Sequence, residues 1–106
     1  MASVPQPVQA VLDAANGHDT GTFLACFAED GVVDDWGREF QGADRIKGWS
    51  DAEFIGVEVT LAVTDVTQSG DETIVVANVG GKGFNGPSTF SFQVEGDKVA
   101  RMTIRA

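Results

Sequence analysis

Hydrophobic positions recur with helical spacing through the first half of this chain and alternate with strand spacing through the second. Val8, Val11, Leu12 and Ala15 fall at i, i+3, i+4 and i+7, the single apolar stripe of a helix. Pro7 suits its first turn, where a missing N–H costs nothing, and Asn16-Gly17 supplies the stop, so the first helix is predicted over Gln6 to Asn16. Asp19 is a candidate N-cap for a second helix, Thr20 to Ala28, with Phe23, Leu24 and Phe27 turned inward. A short strand, Val32 to Trp36, follows, and Gly37 to Gln41 pairs back on it. Ala43 to Phe54 reads as a third helix carrying Ile46, Trp49 and Phe54, although Gly48 weakens its middle by about 1 kcal/mol.

From Val57 the period changes to two. Val57, Val59, Leu61 and Val63 alternate with Glu58, Thr60, Ala62 and Thr64, the pattern of a half-buried strand. Ser69-Gly70-Asp71 is a turn, and Glu72 to Val79 is apolar on both faces, as in a covered central strand. Gly80 to Pro87 is a glycine-rich loop with Phe84 at its tip. Thr89 to Glu95 and Lys98 to Arg105 form a closing hairpin around Gly96-Asp97. Phe90, Phe92 and Val94 share one face, and Ala100, Met102 and Ile104 do so on the partner strand. Helices first and a strand meander after them define an α+β domain. A strongly curved sheet wrapped around helices makes a cone with an open mouth, a natural small-molecule pocket.

Composition narrows the field by exclusion. The chain of 106 residues is the size of one domain, read here as a single unit over 1–106, with an apolar fraction of 42% typical of a globular protein. No apolar run approaches the ~20 residues needed to cross a bilayer. Met1 to Gln9 carries neither a basic residue nor an apolar core, so no secretory leader is expected and the cytoplasm is the default setting. Sixteen acidic against seven basic residues give a net charge of −9, which repels nucleic acid and anionic lipid alike. One cysteine, Cys26, and one histidine, His18, suffice for neither an internal disulfide nor an ordinary zinc site. Neither a metal nor any other cofactor is called for.

One stretch has a recognisable wording. Phe27-Ala28-Glu29-Asp30-Gly31-Val32-Val33-Asp34-Asp35, then Gly37-Arg38-Glu39-Phe40-Gln41-Gly42, then Ile46 and Trp49, resembles the SnoaL-like members of the nuclear transport factor 2 superfamily, relatives of ketosteroid isomerases and polyketide cyclases. The closing Gly96-Asp97-Lys98-Val99-Ala100-Arg101-Met102 is similar to that family's final hairpin. The resemblance implies a cone of three helices and a curved, mixed, mostly antiparallel sheet, commonly dimeric through the sheet's outer face. Fold alone does not supply the function, because the superfamily holds enzymes and many pocketed proteins besides.

The resemblance also puts Asp35 at the position of the isomerase general base. Strand alternation independently sets Asp35 on the face of Val33 and Gly31. On an inward face, apolar surroundings disfavour the charged form of an acid and bring it toward the range useful for proton transfer. The alternative is a hydrogen-bonded or solvent-facing acid at a strand end. Asp34 points the other way and reads as a surface charge. An isomerase must also hold the enolate oxygen, and the ketosteroid enzymes use a tyrosine and a protonated aspartate. This chain has no tyrosine; Val11 falls at that position, and Thr89 and Ser91 occupy the aspartate's region. Both departures argue against a ketosteroid isomerase proper. The Trp36 or Trp49 indole N–H, or Asn78, are the replacement donors to consider.

Asn78, in line with Ile74 and Val76, either lines the pocket or is a satisfied structural amide. Arg38 clamps an acidic ligand or pairs with Asp34 or Glu39. Trp36, Trp49, Phe54, Phe84 and Phe90 build the core or line the mouth for a flat apolar guest. The expected function is therefore a pocket for a small hydrophobic, carbonyl-containing molecule. Asp35 would be its base in a cofactor-independent isomerase, cyclase or dehydratase type of reaction. The alternative is a non-catalytic ligand-binding or dimerisation module. An epoxide-hydrolase-like site needs an Asp-Arg-Asp set around one water, and the sequence does not place one. Val75, Ala77 and Val79, taken as a second apolar face, predict a homodimer.

Overall fold

The computed structural model describes residues 3–106; residues 1 and 2, where the stretch read for a leader begins, lie outside it. Its elements are α1 (Gln6–Asn16), α2 (Thr20–Ala25), β1 (Phe27–Asp35), β2 (Arg38–Gln41), α3 (Ala43–Glu53), a single 3₁₀ turn (Ile55–Val57), β3 (Thr60–Ser69), β4 (Glu72–Gly80), β5 (Gly86–Glu95) and β6 (Lys98–Arg105). The six strands form one sheet in the order β2-β1-β6-β5-β4-β3, antiparallel throughout except for the β1–β6 pair. The mixed α+β architecture expected from the sequence is the one observed. No described helix is long and apolar enough to cross a membrane.

The helices form where their stripes and caps place them. Val8, Val11, Leu12 and Ala15 of α1 are all buried, and the Asp19 carboxylate accepts the Thr22 N–H at 3.2 Å to cap α2. That helix is shorter than its apolar pattern suggested. The chain is already strand at Phe27, whose ring meets Phe23 edge-on at 5.2 Å. Between Phe27 and Val32 the β1–β6 register shifts, and Gly31 lies so close that a Cβ would sit 3.0 Å from the Ala28 carbonyl oxygen. After that irregularity the inward face of β1 is Gly31, Val33 and Asp35.

Two further irregularities turn the alternation of the meander. In β3 a register shift between Val63 and Asp65 lets Leu61 and Val66, five apart, both face the core. In β6 an extra residue, Ala100, lies between the partners of Gln93 and Val94 and sets Val99 opposite Val94, so that Val99 is buried where Ala100 was expected. In β4 the inward face is Thr73, Val75 and Ala77, with Val75 and Ala77 wholly inaccessible. This corrects the sequence reading on both sides. Val75 and Ala77 are core, Val79 lines the cavity, and the outer face belongs to Ile74, Val76 and Asn78. The register of β4 against β5 decided the matter, since Val75 sits opposite Phe90 and Thr73 opposite Phe92.

Candidate active site

A row of paired residues crosses the inside of the sheet. Asp35 pairs with Ile104, Ile104 with Phe90, Phe90 with Val75, and Val75 with Val66. All but the first are apolar, so this row of the sheet carries one acid, at its β1 end. Above this row opens a cavity of about 270 Å³, close to the lower end of the usual range for ligand sites. Phe54, Phe90, Ile104, Val59 and Val79 supply apolar wall; Trp36, Trp49 and Phe84 add aromatic edges; Asp35, Arg38, Glu53 and Ser88 are its polar side chains.

The acid is held by two donors on one oxygen. Asp35 Oδ2 accepts the Trp49 indole N–H at 3.0 Å and the Arg38 guanidinium at 2.6 Å. Both bonds fall on Oδ2, which leaves Oδ1 for a guest. Trp49 reaches the acid from α3 and stacks on Phe54 with ring centres 4.9 Å apart and planes 23° from parallel. Arg38 is not idle either. It makes a fork onto Glu53, Nη1 to Oε2 at 2.9 Å and Nη2 to Oε1 at 2.7 Å. The result is an acid–arginine–acid set joining β1, β2 and the end of α3. Glu53 is held below its ordinary value chiefly by its hydrogen bond to Arg38. The guanidinium is pushed up, mainly by Glu53, and stays charged. The sequence reading had this arginine clamping an acidic ligand or paired with Asp34 or Glu39. The correction is in its partners: two cavity acids occupy it, and the hairpin's tight turn carries it onto the face of Asp35.

That turn is unusual. Trp36 and Gly37, its two central residues, have φ of 54° and 88°. A hairpin of two residues prefers this left-handed geometry, but a tryptophan in it is uncommon, and such conformations gather at functional sites. The turn is pinned by the Gly37 N–H, which donates to Asp34 Oδ1 at 2.7 Å. Its consequence is an indole displayed at the mouth, 62% exposed, where an equally exposed Phe84 also lines the cavity.

Asp34 does face away from the cavity, yet it is no surface charge. Its side chain is 9% exposed and is gripped by Arg101 at 2.7 Å and Arg105 at 3.0 Å. Arg105 above all, with the Gly37 N–H and Arg101, holds its carboxyl below the ordinary value against the opposing effect of burial. The two arginines stand on β6 beside β1, a parallel pairing that alternation along one strand does not reveal. Asn78 is also elsewhere: it is exposed on the outer face, away from the cavity. Of the candidate replacement donors, Trp49 is already committed to Asp35, and Trp36 stands at the mouth. Val11 is buried in the core.

Asp35, Trp36, Trp49, Phe54, Phe84 and Phe90 are thus brought around one hollow, and Asn78 is not. The sequence reading missed Glu53 and Ser88. Glu53 lies four residues after Trp49 and so on the same side of α3, while Ser88 alternates with Phe90; both spacings were available. His18 and Cys26 are structural: the ring Nε2 lies 2.8 Å from the Val59 carbonyl, and the thiol donates to the Thr22 carbonyl at 3.1 Å.

Three helices against one curved six-stranded sheet, with an apolar hollow and an acid on its inner wall, define the class of this α+β fold. Within that class the chain belongs to the SnoaL-like domain family, whose model matches residues 8–102. Among solved structures, a protein of Sinorhizobium meliloti provisionally assigned as a polyketide cyclase is 31% identical, with a TM-score of 0.87 over 96% of this chain and 95% of that one. A Catenulispora acidiphila protein of ketosteroid isomerase-like fold, crystallised with trimethylamine, is 25% identical, with a TM-score of 0.81 over 98% and 87%. The Mycobacterium tuberculosis protein RV0760c, in complex with estradiol-17β-hemisuccinate, shares the fold at 17% identity, with a TM-score of 0.79 over 94% and 90%. Among curated proteins none matches the chain.

Proposed function

We propose that this protein holds a compact, largely apolar, carbonyl-containing compound in the cavity and that Asp35 takes a proton from the carbon next to that carbonyl. The reaction class is isomerisation, cyclisation or dehydration without a cofactor. The observation that carries this reading is a single inward acid in an apolar row, fixed through Oδ2 and open at Oδ1. A base must be positioned before it can act, and the Trp49 and Arg38 bonds do that. Similar proteins in complex with trimethylamine and with estradiol-17β-hemisuccinate support the binding of a small organic molecule. The missing tyrosine leaves Ser88, a buried hydroxyl in the cavity wall, and the Trp36 indole as the donors available to a developing oxyanion. Asp35→Asn should abolish turnover of enolisable ketones while the fold, read by circular dichroism, is kept. Unchanged turnover in this variant would remove Asp35 from the chemistry.

A second reading is favoured by the acid–arginine–acid set of Asp35, Arg38 and Glu53. Such a set can polarise one water for attack on an epoxide, with a glutamate here in place of the second aspartate. Epoxide opening that depends on both Asp35 and Glu53, with no proton exchange next to a carbonyl, would select it. Binding without turnover of either class would select a non-catalytic holder.

We also propose that a second copy covers the outer face of the sheet, where Ile74 and Val76 are half-buried beside Asn78. A cytoplasmic setting suits a chain whose one cysteine is free and packed in the core.

A further inference from the structure

The mouth of the cavity has an unbalanced charge. Asp35 and Glu53 contribute two carboxylates and Arg38 one guanidinium, all within one hydrogen-bonded set. The fork onto Glu53 and the bond to Asp35 leave Arg38 with its charge spent on protein acids rather than offered to an incoming anion. Glu58 and Lys82, which do not line the cavity, pair with each other and cancel, and Asp34 with Arg101 and Arg105 lies on the other side of the sheet. Around the unbalanced set stand aromatic rings, with Trp36 and Phe84 displayed at the mouth. The negative faces of such rings attract cations, as does a site with one carboxylate in excess. A chain of net charge −9 adds a long-range field of the same sign.

We infer that the compound held in the cavity carries a positively charged amine, seated at the mouth between Asp35, Glu53, Trp36 and Phe84, with its apolar body against Phe54 and Phe90. This rests on the proposed binding of a small molecule beside Asp35 and names the chemistry at the outer end of that molecule. Anions are disfavoured twice over, by the excess carboxylate and by the faces of the rings.

Three soluble probes of one size separate the alternatives: cyclohexylammonium, cyclohexanone and cyclohexanecarboxylate, titrated by calorimetry and by tryptophan fluorescence. Both tryptophans line the cavity, so occupancy should be visible directly. The ammonium probe should bind about tenfold more tightly than the ketone, and the carboxylate most weakly, with the preference shrinking as salt is raised. Glu53→Gln, which balances the set, should narrow the preference; Arg38→Gln, which deepens the imbalance, should widen it. Circular dichroism checks that each variant folds, and the wild-type series decides the matter where one does not. A ketone that binds as tightly as the ammonium probe, or a carboxylate that binds best, overturns the inference and leaves the Asp35 reading standing. Failure of all three to bind, or binding untouched by Asp35→Asn, overturns both.

Discussion

Adjacent acids at the end of β1 show how much one position of alternation decides. Asp35 faces the hollow and Asp34 the opposite side, where two arginines of β6 grip it. Asp34→Asn removes the charge from two charge-assisted bonds to arginines that are themselves part-exposed, so it should cost about 1–2 kcal/mol at neutral pH by urea denaturation. The folded protein holds the Asp34 carboxyl below its ordinary 3.8, so its stabilising contribution is complete above that pH and is lost as the pH falls from 3.8 toward the lower folded value. The stabilities of wild type and variant should therefore converge on acidification; curves that stay parallel through that range would contradict this role for Asp34. The inward position of Asp35 was legible because period-two alternation is local. The burial of Asp34 was not, because Arg101 and Arg105 lie some 70 residues away along the chain.

Elements were legible wherever a stripe and a stop coincided, as in α1, α3 and the closing hairpin. They blurred where backbone geometry broke the pattern. The segment after α3 is the clearest case. Val57 looked like the first residue of an alternating strand, yet Ile55–Val57 forms a 3₁₀ turn before β3 starts at Thr60. Gly56 permits this turn, since a Cβ there would lie 1.6 Å from the Asp51 carbonyl oxygen. Gly56→Ala should therefore destabilise the domain by about 3 kcal/mol and disturb Phe54 and Val57 in the cavity wall. Gly48, within α3, has open space where a Cβ would stand. Gly48→Ala should stabilise by about 0.5–1 kcal/mol. Thermal and urea midpoints for the two variants check the contrast, and shifts of the same sign would refute it. The bulges in β3 and β6 left no clear mark in the sequence, because each inserts one residue into a run that still looks amphipathic on either side.

At the scale of the whole molecule, the curved sheet has two faces of different make-up. The inner one combines core and hollow; the outer one bears Ile74, Val76 and Asn78 on β4 and, beyond β5, the Asp34 ion-pair cluster of β1 and β6. Dimerisation over that outer face predicts a mass of twice 11.2 kDa by sedimentation, and an Ile74→Asp variant reduced to monomer; a wild-type monomer at high concentration contradicts it. The role proposed for the inner face requires a guest to meet Asp35, and the two adjacent acids allow a direct test. In ¹³C spectra of aspartate-labelled protein, with Asp34 and Asp35 assigned through their asparagine variants, a compact guest is titrated in. The carboxyl signal of Asp35 should move saturably while that of Asp34, across the sheet, stays in place. A guest that binds and leaves Asp35 unmoved would contradict the account.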